Sequence, residues 1–282
     1  MKIKVKTWAA AAGVSIPLLV ASSITAAADD DTGHREAEEI AQLIEDVRPD
    51  DVDNGAVVPD GTGRLRGVEN EISIPHTGDG AVVLTGSSEV PISVSLPGSG
   101  ESARVASDNT VVFPADQGPV VAVQSDGNSA RVHTVSESKS ELEDLTYRFD
   151  GLTPEVNDDG SVTLVASSED GGVQFEVGSV DAPWAADADG SPLATRYVVD
   201  GEALRQEVTT DSTTRFPVTA DPAFQGDCGI VTCTIRFDRA YTKRIRDFGG
   251  SVGAMVGVLV TAAGSIGGPV GVAVAGAAGA II

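Results

Sequence analysis

Short apolar runs separated by turn residues dominate the middle of the chain. Across residues 71–224, runs rich in Val, Ile, Thr and Phe alternate with turns that contain Asp and Gly. In Val173–Val177 apolar and polar residues alternate, which places the apolar groups on one face of a strand. Asp-Gly pairs favour tight hairpins because glycine accepts a positive φ. The pattern predicts a mainly β, antiparallel, sandwich-like domain rather than a parallel α/β fold.

A helical pattern precedes the strand region. In the segment 29–49, apolar residues recur at i, i+3, i+4 and i+7, which places them on one face of a helix. These residues are Ile40, Leu43, Ile44 and Val47. Pro49 ends the segment. We expect a short N-terminal helix that docks on the strand domain, which is the simpler interpretation, or that mediates assembly.

The first 28 residues are typical of a secretory signal peptide. Three lysines precede an apolar stretch that runs from residue 8 to residue 24. Ala26-Ala27-Ala28 then matches the small-x-small cleavage pattern. We therefore expect export with cleavage after Ala28, and a secreted, extracellular or cell-envelope-associated location.

The charge balance excludes one class of partner. The chain has 282 residues, with 19 Lys and Arg against 42 Asp and Glu, and a formal net charge of −23. Nucleic-acid binding needs clustered Lys and Arg to neutralise phosphates. We therefore expect no nucleic-acid partner, and we expect the excess carboxylates to contribute mainly solubility.

The end of the chain reverses the acidic pattern. No charged residue occurs in residues 249–282, and several basic residues precede them. A break at Gly267-Gly268-Pro269 divides this tail, so we expect an apolar helical hairpin. A simple membrane anchor is disfavoured because the cations precede the apolar stretch and none follows it. The tail associates with a membrane, packs on this protein or a partner, or is poorly ordered.

Two sets of residues in this region are candidate contact residues. Glycines at four-residue spacing allow helices to approach closely, as in a glycine zipper. The candidate packing residues are Gly249, Gly253, Gly257, Gly264 and Gly268. Cations just before the tail would face anionic lipid headgroups. The candidate basic interface is Arg239, Lys243, Arg244 and Arg246.

The chain has two cysteines, Cys228 and Cys233. In an exported protein such a close pair is typical of a disulfide. The pairing requires the chain to turn, because the two Cα atoms must lie within about 7 Å. A zinc site needs about four ligands, and the three histidines are widely scattered, so we expect no metal.

Catalytic patterns in the sequence are weak. The stretch 249–253 matches G-x-S-x-G, but it lies in an apolar segment without the strand that a nucleophile elbow requires. The acidic turns at Gly160 and Gly190 lack the first and last ligands of an EF-hand loop. We expect no cofactor, and loose calcium binding in these turns is a minor alternative. Acids in turns usually cap backbone donors, and Trp184 is interpreted as a buried sheet residue rather than a ligand platform.

Residues 142–224 carry four short marks, which are the Asn157-Asp158-Asp159-Gly160 turn, Pro183-Trp184-Ala185, the Asp187-x-x-Gly190 turn and the segment FPVTADP at 216–222. In this order they resemble a β-rich module of uncharacterised secreted actinobacterial proteins. A similar strand series, ending in PVT-x-DP, is found in large secreted proteins of the Rhs/wall-associated type. The resemblance implies export and an all-β module, followed by a Cys-containing strand and an apolar tail, and it carries no activity. Many such proteins have a further Cys that this chain lacks, which leaves Cys228–Cys233 as the internal pairing.

Together these patterns predict an organisation and a function. The expected segments are a signal peptide (1–28), an N-terminal helix (29–49), a linker (50–70), an acidic β domain (71–224), a Cys strand with the start of a basic helix (225–248) and a Gly-rich apolar tail (249–282). We expect a non-catalytic β interaction module whose tail engages a membrane, an envelope component or a second copy. The alternatives are a membrane-active, bacteriocin-like or toxin effector and, lower, a secreted hydrolase.

Overall fold

A computed structural model describes most of the chain beyond the expected signal peptide. It covers residues 32–48, 54–67, 72–85, 90–98, 100–126, 129–226, 234–247, 252–268 and 270–274. The signal peptide expected in residues 1–28, the pair Cys228 and Cys233, and Gly249 lie outside these residues.

The described residues are mainly β, with 42% in strands. The strands are β1 (Val57–Pro59), β2 (Leu65–Gly67), β3 (Ile72–Ile74), β4 (Ala81–Leu84), β5 (Ile92–Ser95), β6 (Arg104–Val105), β7 (Val111–Phe113), β8 (Val120–Asp126), β9 (Ser129–Ser136), β10 (Thr146–Phe149), β11 (Thr153–Val156), β12 (Val162–Ser167), β13 (Val173–Val180), β14 (Trp184–Ala186), β15 (Thr195–Asp200), β16 (Ala203–Val208), β17 (Val218–Asp221), β18 (Ala223–Gly226) and β19 (Thr234–Phe237). The helices are α1 (residues 32–47), a 3-10 turn at Glu141–Asp144, α2 (Arg239–Asp247) and α3 (Val252–Ile266), followed by a helical segment at residues 270–274. The expected mainly β class is confirmed.

The strands form two antiparallel sheets. Sheet 1 has the order β1-β2-β3-β4-β5-β10-β16-β15. Sheet 2 has the order β11-β12-β13-β18-β9-β8-β7-β6, with β14, β17 and β19 paired to its members. In β13 every second residue from Val173 to Val177 is buried, as the alternation predicts.

One hydrophobic cluster joins residues of both sheets. Tyr147 and Phe149 enter it from sheet 1, while Phe113, Phe175 and Phe224 enter it from sheet 2. All five side chains are almost completely removed from solvent. Aromatic groups of this size provide much of the apolar area that stabilises a β domain.

Helix α1 docks on the outer face of sheet 2, which confirms the simpler interpretation of its amphipathic pattern. Its buried apolar side chains are Ala37, Ala41 and Ile44, whereas Ile40 and Leu43 are only half-buried. The contact stripe is therefore rotated from the one predicted by the large apolar residues. The small alanine side chains let the helix backbone lie close to the sheet, against Val112, Ala122 and Val135.

The segment expected to be a linker contributes strands β1 and β2 to the edge of sheet 1. In the turn between them the Asp60 carboxylate accepts hydrogen bonds from the Thr62 and Arg64 amides. The Arg64 guanidinium donates to the Ser73 hydroxyl, at 2.6 Å, and to the Ala81 carbonyl, at 2.7 Å. These long side-chain contacts compensate for the scarcity of large apolar residues, which is why the composition resembles that of a linker.

Candidate functional site at the C-terminal helices

Strand β19 leads directly into the basic helix α2. It pairs with β13, with Phe237 opposite Val173. Asp238 then caps α2, because its carboxylate accepts the Tyr241 amide at 2.7 Å. The Arg236 guanidinium links β19 to sheet 2 through ion pairs with Glu155 of β11, at 2.6 Å, and Glu176 of β13, at 2.5 Å. The start of α2 is thus fixed relative to sheet 2.

Tyr241 attaches α2 to the turn between β12 and β13. Its hydroxyl donates a hydrogen bond to Asp170 Oδ2 at 2.8 Å. That hydrogen bond, followed by those from the Gly172 amide and the Ser168 hydroxyl, lowers the pKa of Asp170. A Cβ atom at Gly172 would lie 2.3 Å from the Tyr241 ring. Glycine at position 172 is therefore required for the ring to lie where it does.

The four predicted interface cations all lie on α2. Arg239, Lys243, Arg244 and Arg246 are exposed, and no residue of this helix is buried. Arg244 lies 4.8 Å from the centroid of the Tyr241 ring, a cation–π contact. Arg246 is 3.5 Å from Asp247. The helix therefore presents a concentrated positive surface on an acidic chain.

Helix α3 docks on the β domain through its aliphatic residues. Leu259, Ala262 and Ala263 are buried and belong to the main core cluster, as do Val270 and Val274 beyond the turn. A polar contact fixes the end of the helix, since the Ser265 hydroxyl accepts the Glu169 amide at 3.1 Å. Among the described helices, none has both the length and the apolar character needed to span a bilayer.

Four of the predicted packing glycines lie on the exposed side of this region. Gly253, Gly257, Gly264 and Gly268 are exposed, and a Cβ atom at any of them would meet nothing within 4 Å. The described part of the tail therefore packs on its own protein without close approach at these four glycines. The glycine spacing had suggested instead that they form the packing face. The turn after α3 has a different need for glycine, because Gly267 and Gly268 have φ values of +73° and +60°, a conformation that favours glycine.

Apolar side chains accompany the glycines on the solvent side. Met255 and Val260 are 40% and 41% exposed, and Val272 is 76% exposed. By helical spacing, Val260 shares the face of Gly253, Gly257 and Gly264. We call α2 together with this exposed face of α3 the C-terminal surface. It combines cations, small residues and a few apolar groups.

The acidic turns cap backbone donors, as the sequence indicates. The Asp187 carboxylate accepts the amides of Asp189, Ser191 and Arg215 at 2.9–3.3 Å. Burial raises the pKa of Asp187, but these backbone hydrogen bonds lower it more, so the net change is downward. Asp159 binds the Ser161 amide in the same way. Within the described ranges, no three His, Cys, Asp or Glu residues converge as a metal site would require.

A buried polar group beneath α1 was not identified from the sequence. His133 is completely buried, and its Nε2 lies 3.0 Å from Gln124 Oε1. Burial, followed by the charges of Arg131 and Arg48, lowers the pKa of His133 to about 3. Trp184 is half-buried and meets the His133 ring edge-on, with centroids 6.4 Å apart. One indication of this buried group was present in the sequence, which is that apolar residues occupy both faces of strand β9.

The marks that carry the family resemblance lie side by side in sheet 2. Strand β14 pairs with β17, which places Trp184 opposite Asp221 and Ala185 opposite Ala220. The Asp221 carboxylate lies 3.3 Å from Arg131. No family model, curated protein or solved structure matches the chain. The resemblance stays a prediction.

Proposed function

We propose that the chain is a secreted, cell-envelope-associated, non-catalytic protein. In this proposal its two sheets form a sandwich-like interaction module, and its tail is a helical hairpin docked on that module. The C-terminal surface engages an anionic component of the envelope. The observation that carries the proposal is the exposed helix α2, which holds four cations on a chain of net charge −23.

The location of the cations supports an electrostatic role. Arg239 and Lys243 have no carboxylate within 4 Å among the described residues, so their charges are open to a partner. A basic residue near an anionic lipid surface contributes about 1 kcal/mol, and the attraction decays within a Debye length. Four such residues on one fixed helix are enough for salt-sensitive, reversible association.

The packing of α3 favours peripheral contact over insertion. Insertion of α3 would remove Leu259, Ala262 and Ala263 from the core that they share with both sheets. Burial of a leucine or valine side chain contributes roughly 1.5–3 kcal/mol. A partner that binds α2 leaves this packing intact, and the exposed Val260 then adds apolar contact at the same surface.

Fractionation of the native protein between medium, wall and membrane tests the proposal. We would compare the full chain with a variant that combines Arg239→Gln, Lys243→Gln and Arg246→Gln, which keeps the Arg244 contact with Tyr241. A control with Arg66→Gln, Arg148→Gln and Arg205→Gln removes three exposed cations from sheet 1. We expect only the α2 variant to move from the envelope to the medium. An equal distribution of all three proteins contradicts the proposal.

A second candidate is a membrane-active effector in which the β domain carries the tail. The exposed glycine face of α3 favours it, because small residues at four-residue spacing suit helix pairing in a bilayer. Dye release from anionic vesicles tests this function with the full chain. Vesicles that bind the protein and stay sealed support the peripheral proposal and reject the effector.

A further inference from the structure

A pocket of about 360 Å³ lies where the tail turns at the edge of the β domain. Its walls are Val83, Pro91 and Ser93 from the β4–β5 region, Asp150 and Gly151 after β10, and Ile266, Gly267, Gly268 and Val270 from the tail. A water molecule occupies about 30 Å³ in the liquid, so the pocket has room for roughly a dozen non-hydrogen atoms. Ligand sites are commonly apolar clefts of 300–1,000 Å³.

The glycine turn forms one wall of this pocket. Gly267 and Gly268 have φ values of +73° and +60°, and a Cβ atom at either would meet nothing within 4 Å. Their backbone therefore borders the pocket without filling it. Val270 packs near Gly151, because a Cβ atom added at position 151 would lie 3.9 Å from Val270 Cγ2.

The two polar side chains of the pocket are free of contacts with the other polar side chains in the described part of the chain. Ser93 accepts the Asp150 amide through its backbone carbonyl, at 3.1 Å. Its hydroxyl and the Asp150 carboxylate make no hydrogen bond or ion pair with any described residue. The remaining side chains of the lining are aliphatic, and none of the nine lining residues is basic. A few polar groups on an apolar wall are the usual means of orienting a ligand.

We propose that this pocket binds an amphiphile with a short alkyl chain and a cationic, hydrogen-bond-donating head. The alkyl chain lies against Val83, Pro91, Ile266 and Val270. The head reaches the Asp150 carboxylate and the Ser93 hydroxyl. An anionic head is disfavoured, because it would meet the Asp150 charge without a neighbouring cation. The inference is independent of the proposed function, which depends on α2.

Titration calorimetry of the full chain with octylammonium chloride tests the inference, with octanoate as the probe of opposite charge. We expect saturable binding of one octylammonium ion and at least tenfold weaker binding of octanoate. Asp150→Asn removes the charge at nearly constant volume and should weaken octylammonium binding about tenfold. Ser93→Phe should abolish binding, because the ring fills the pocket.

Two control variants separate this site from the general acidity of the chain. Glu202→Gln removes a nearby exposed carboxylate outside the pocket, and Val156→Phe adds a ring at an exposed position of β11. Neither should change the affinity. Equal affinity for octanoate, unsaturable binding, or the same loss in Glu202→Gln as in Asp150→Asn overturns the proposal. Asp150→Asn keeps the test decisive even where Ser93→Phe fails to fold.

Discussion

Gly226 and Thr234 lie opposite residues that are only two positions apart on β13. Gly226 ends β18 opposite Gly178, and Thr234 begins β19 opposite Glu176. A strand rises about 3.3 Å per residue, so the two Cα atoms are ~7 Å apart. These two residues flank the segment that contains Cys228 and Cys233, so the described residues on either side of the pair lie close together. Close flanking positions suit the pairing of two cysteines that are near in sequence.

From this register we predict that Cys228 and Cys233 form a disulfide under oxidising conditions. Mass spectrometry without reduction should find the two cysteines linked within one chain and unreactive toward iodoacetamide. A small closed loop stabilises the fold by about 2 kcal/mol in the chain-entropy account. The double variant Cys228→Ser and Cys233→Ser should lose about that much unfolding free energy. Two freely alkylated thiols in the protein isolated under oxidising conditions would refute the pairing.

The contact between Gly172 and Tyr241 predicts a position where one methyl group displaces a helix. In Gly172→Ala the new Cβ atom would overlap the Tyr241 ring, so α2 must move or detach. We expect faster amide exchange in α2 and a loss of about 1 kcal/mol in unfolding free energy, since overpacking costs roughly 1–3 kcal/mol. Gly171→Ala is an unsuitable control because Gly171 has a φ of +68°.

Tyr241→Phe is the matched variant, since it keeps the ring and removes only the hydrogen bond to Asp170. It should raise exchange in α2 less than Gly172→Ala does. If both variants leave exchange in α2 unchanged, the attachment of this helix through Tyr241 is wrong.

The strand pattern was readable from the sequence where a strand has one buried face. In β13 the alternation from Val173 to Val177 reports that face directly. The pattern was less informative for β9, where His133 and Thr134 are both buried on opposite faces. A buried polar residue gives no periodic signal in the sequence. The group around His133 could therefore not be predicted, because it is formed by contacts between residues that are distant in sequence.

The tail shows a second limit of sequence patterns. Its lack of charge was compatible with a bilayer, a partner or the protein itself, because all three environments bury apolar groups. The glycine spacing suggested the packing face, but the buried residues of α3 lie on its other side, namely Val256, Leu259, Ala262 and Ala263. Which face packs depends on the shape of the β domain, which local sequence does not encode.

Helix α1 offers a direct test of the rotated stripe. Ile44 is completely buried in the interface with sheet 2, whereas Leu43 is half-buried. Ile44→Ala should lower the unfolding free energy by about 2–4 kcal/mol, because it leaves a cavity against the sheet. Leu43→Ala should cost no more than about 1 kcal/mol. Denaturant unfolding of the two variants measures the difference, and equal losses would restore the stripe predicted from the sequence.

His133 predicts a pH dependence that an exposed histidine lacks. Its pKa is about 3 in the fold against 6.5 for an ordinary histidine. The unfolded chain therefore takes up a proton as the pH falls below about 6.5, while the folded chain does so only near pH 3. The contribution of the neutral His133 ring to the free energy of unfolding is fully present above pH 6.5. It is lost as the pH falls from 6.5 toward about 3, by at most ~1.4 kcal/mol per pH unit.

Replacement of the ring isolates this effect from the many carboxylates. His133→Gln keeps an amide donor near Gln124 but cannot take up a proton. Denaturant unfolding at pH 7, 6, 5 and 4 should show that the stability advantage of the unmodified chain over His133→Gln shrinks as the pH falls. His76 is exposed, so His76→Gln should track the unmodified chain at every pH. Parallel curves for His133→Gln and the unmodified chain would mean that the folded and unfolded chains take up the His133 proton at the same pH. In that case the His133 ring is not buried.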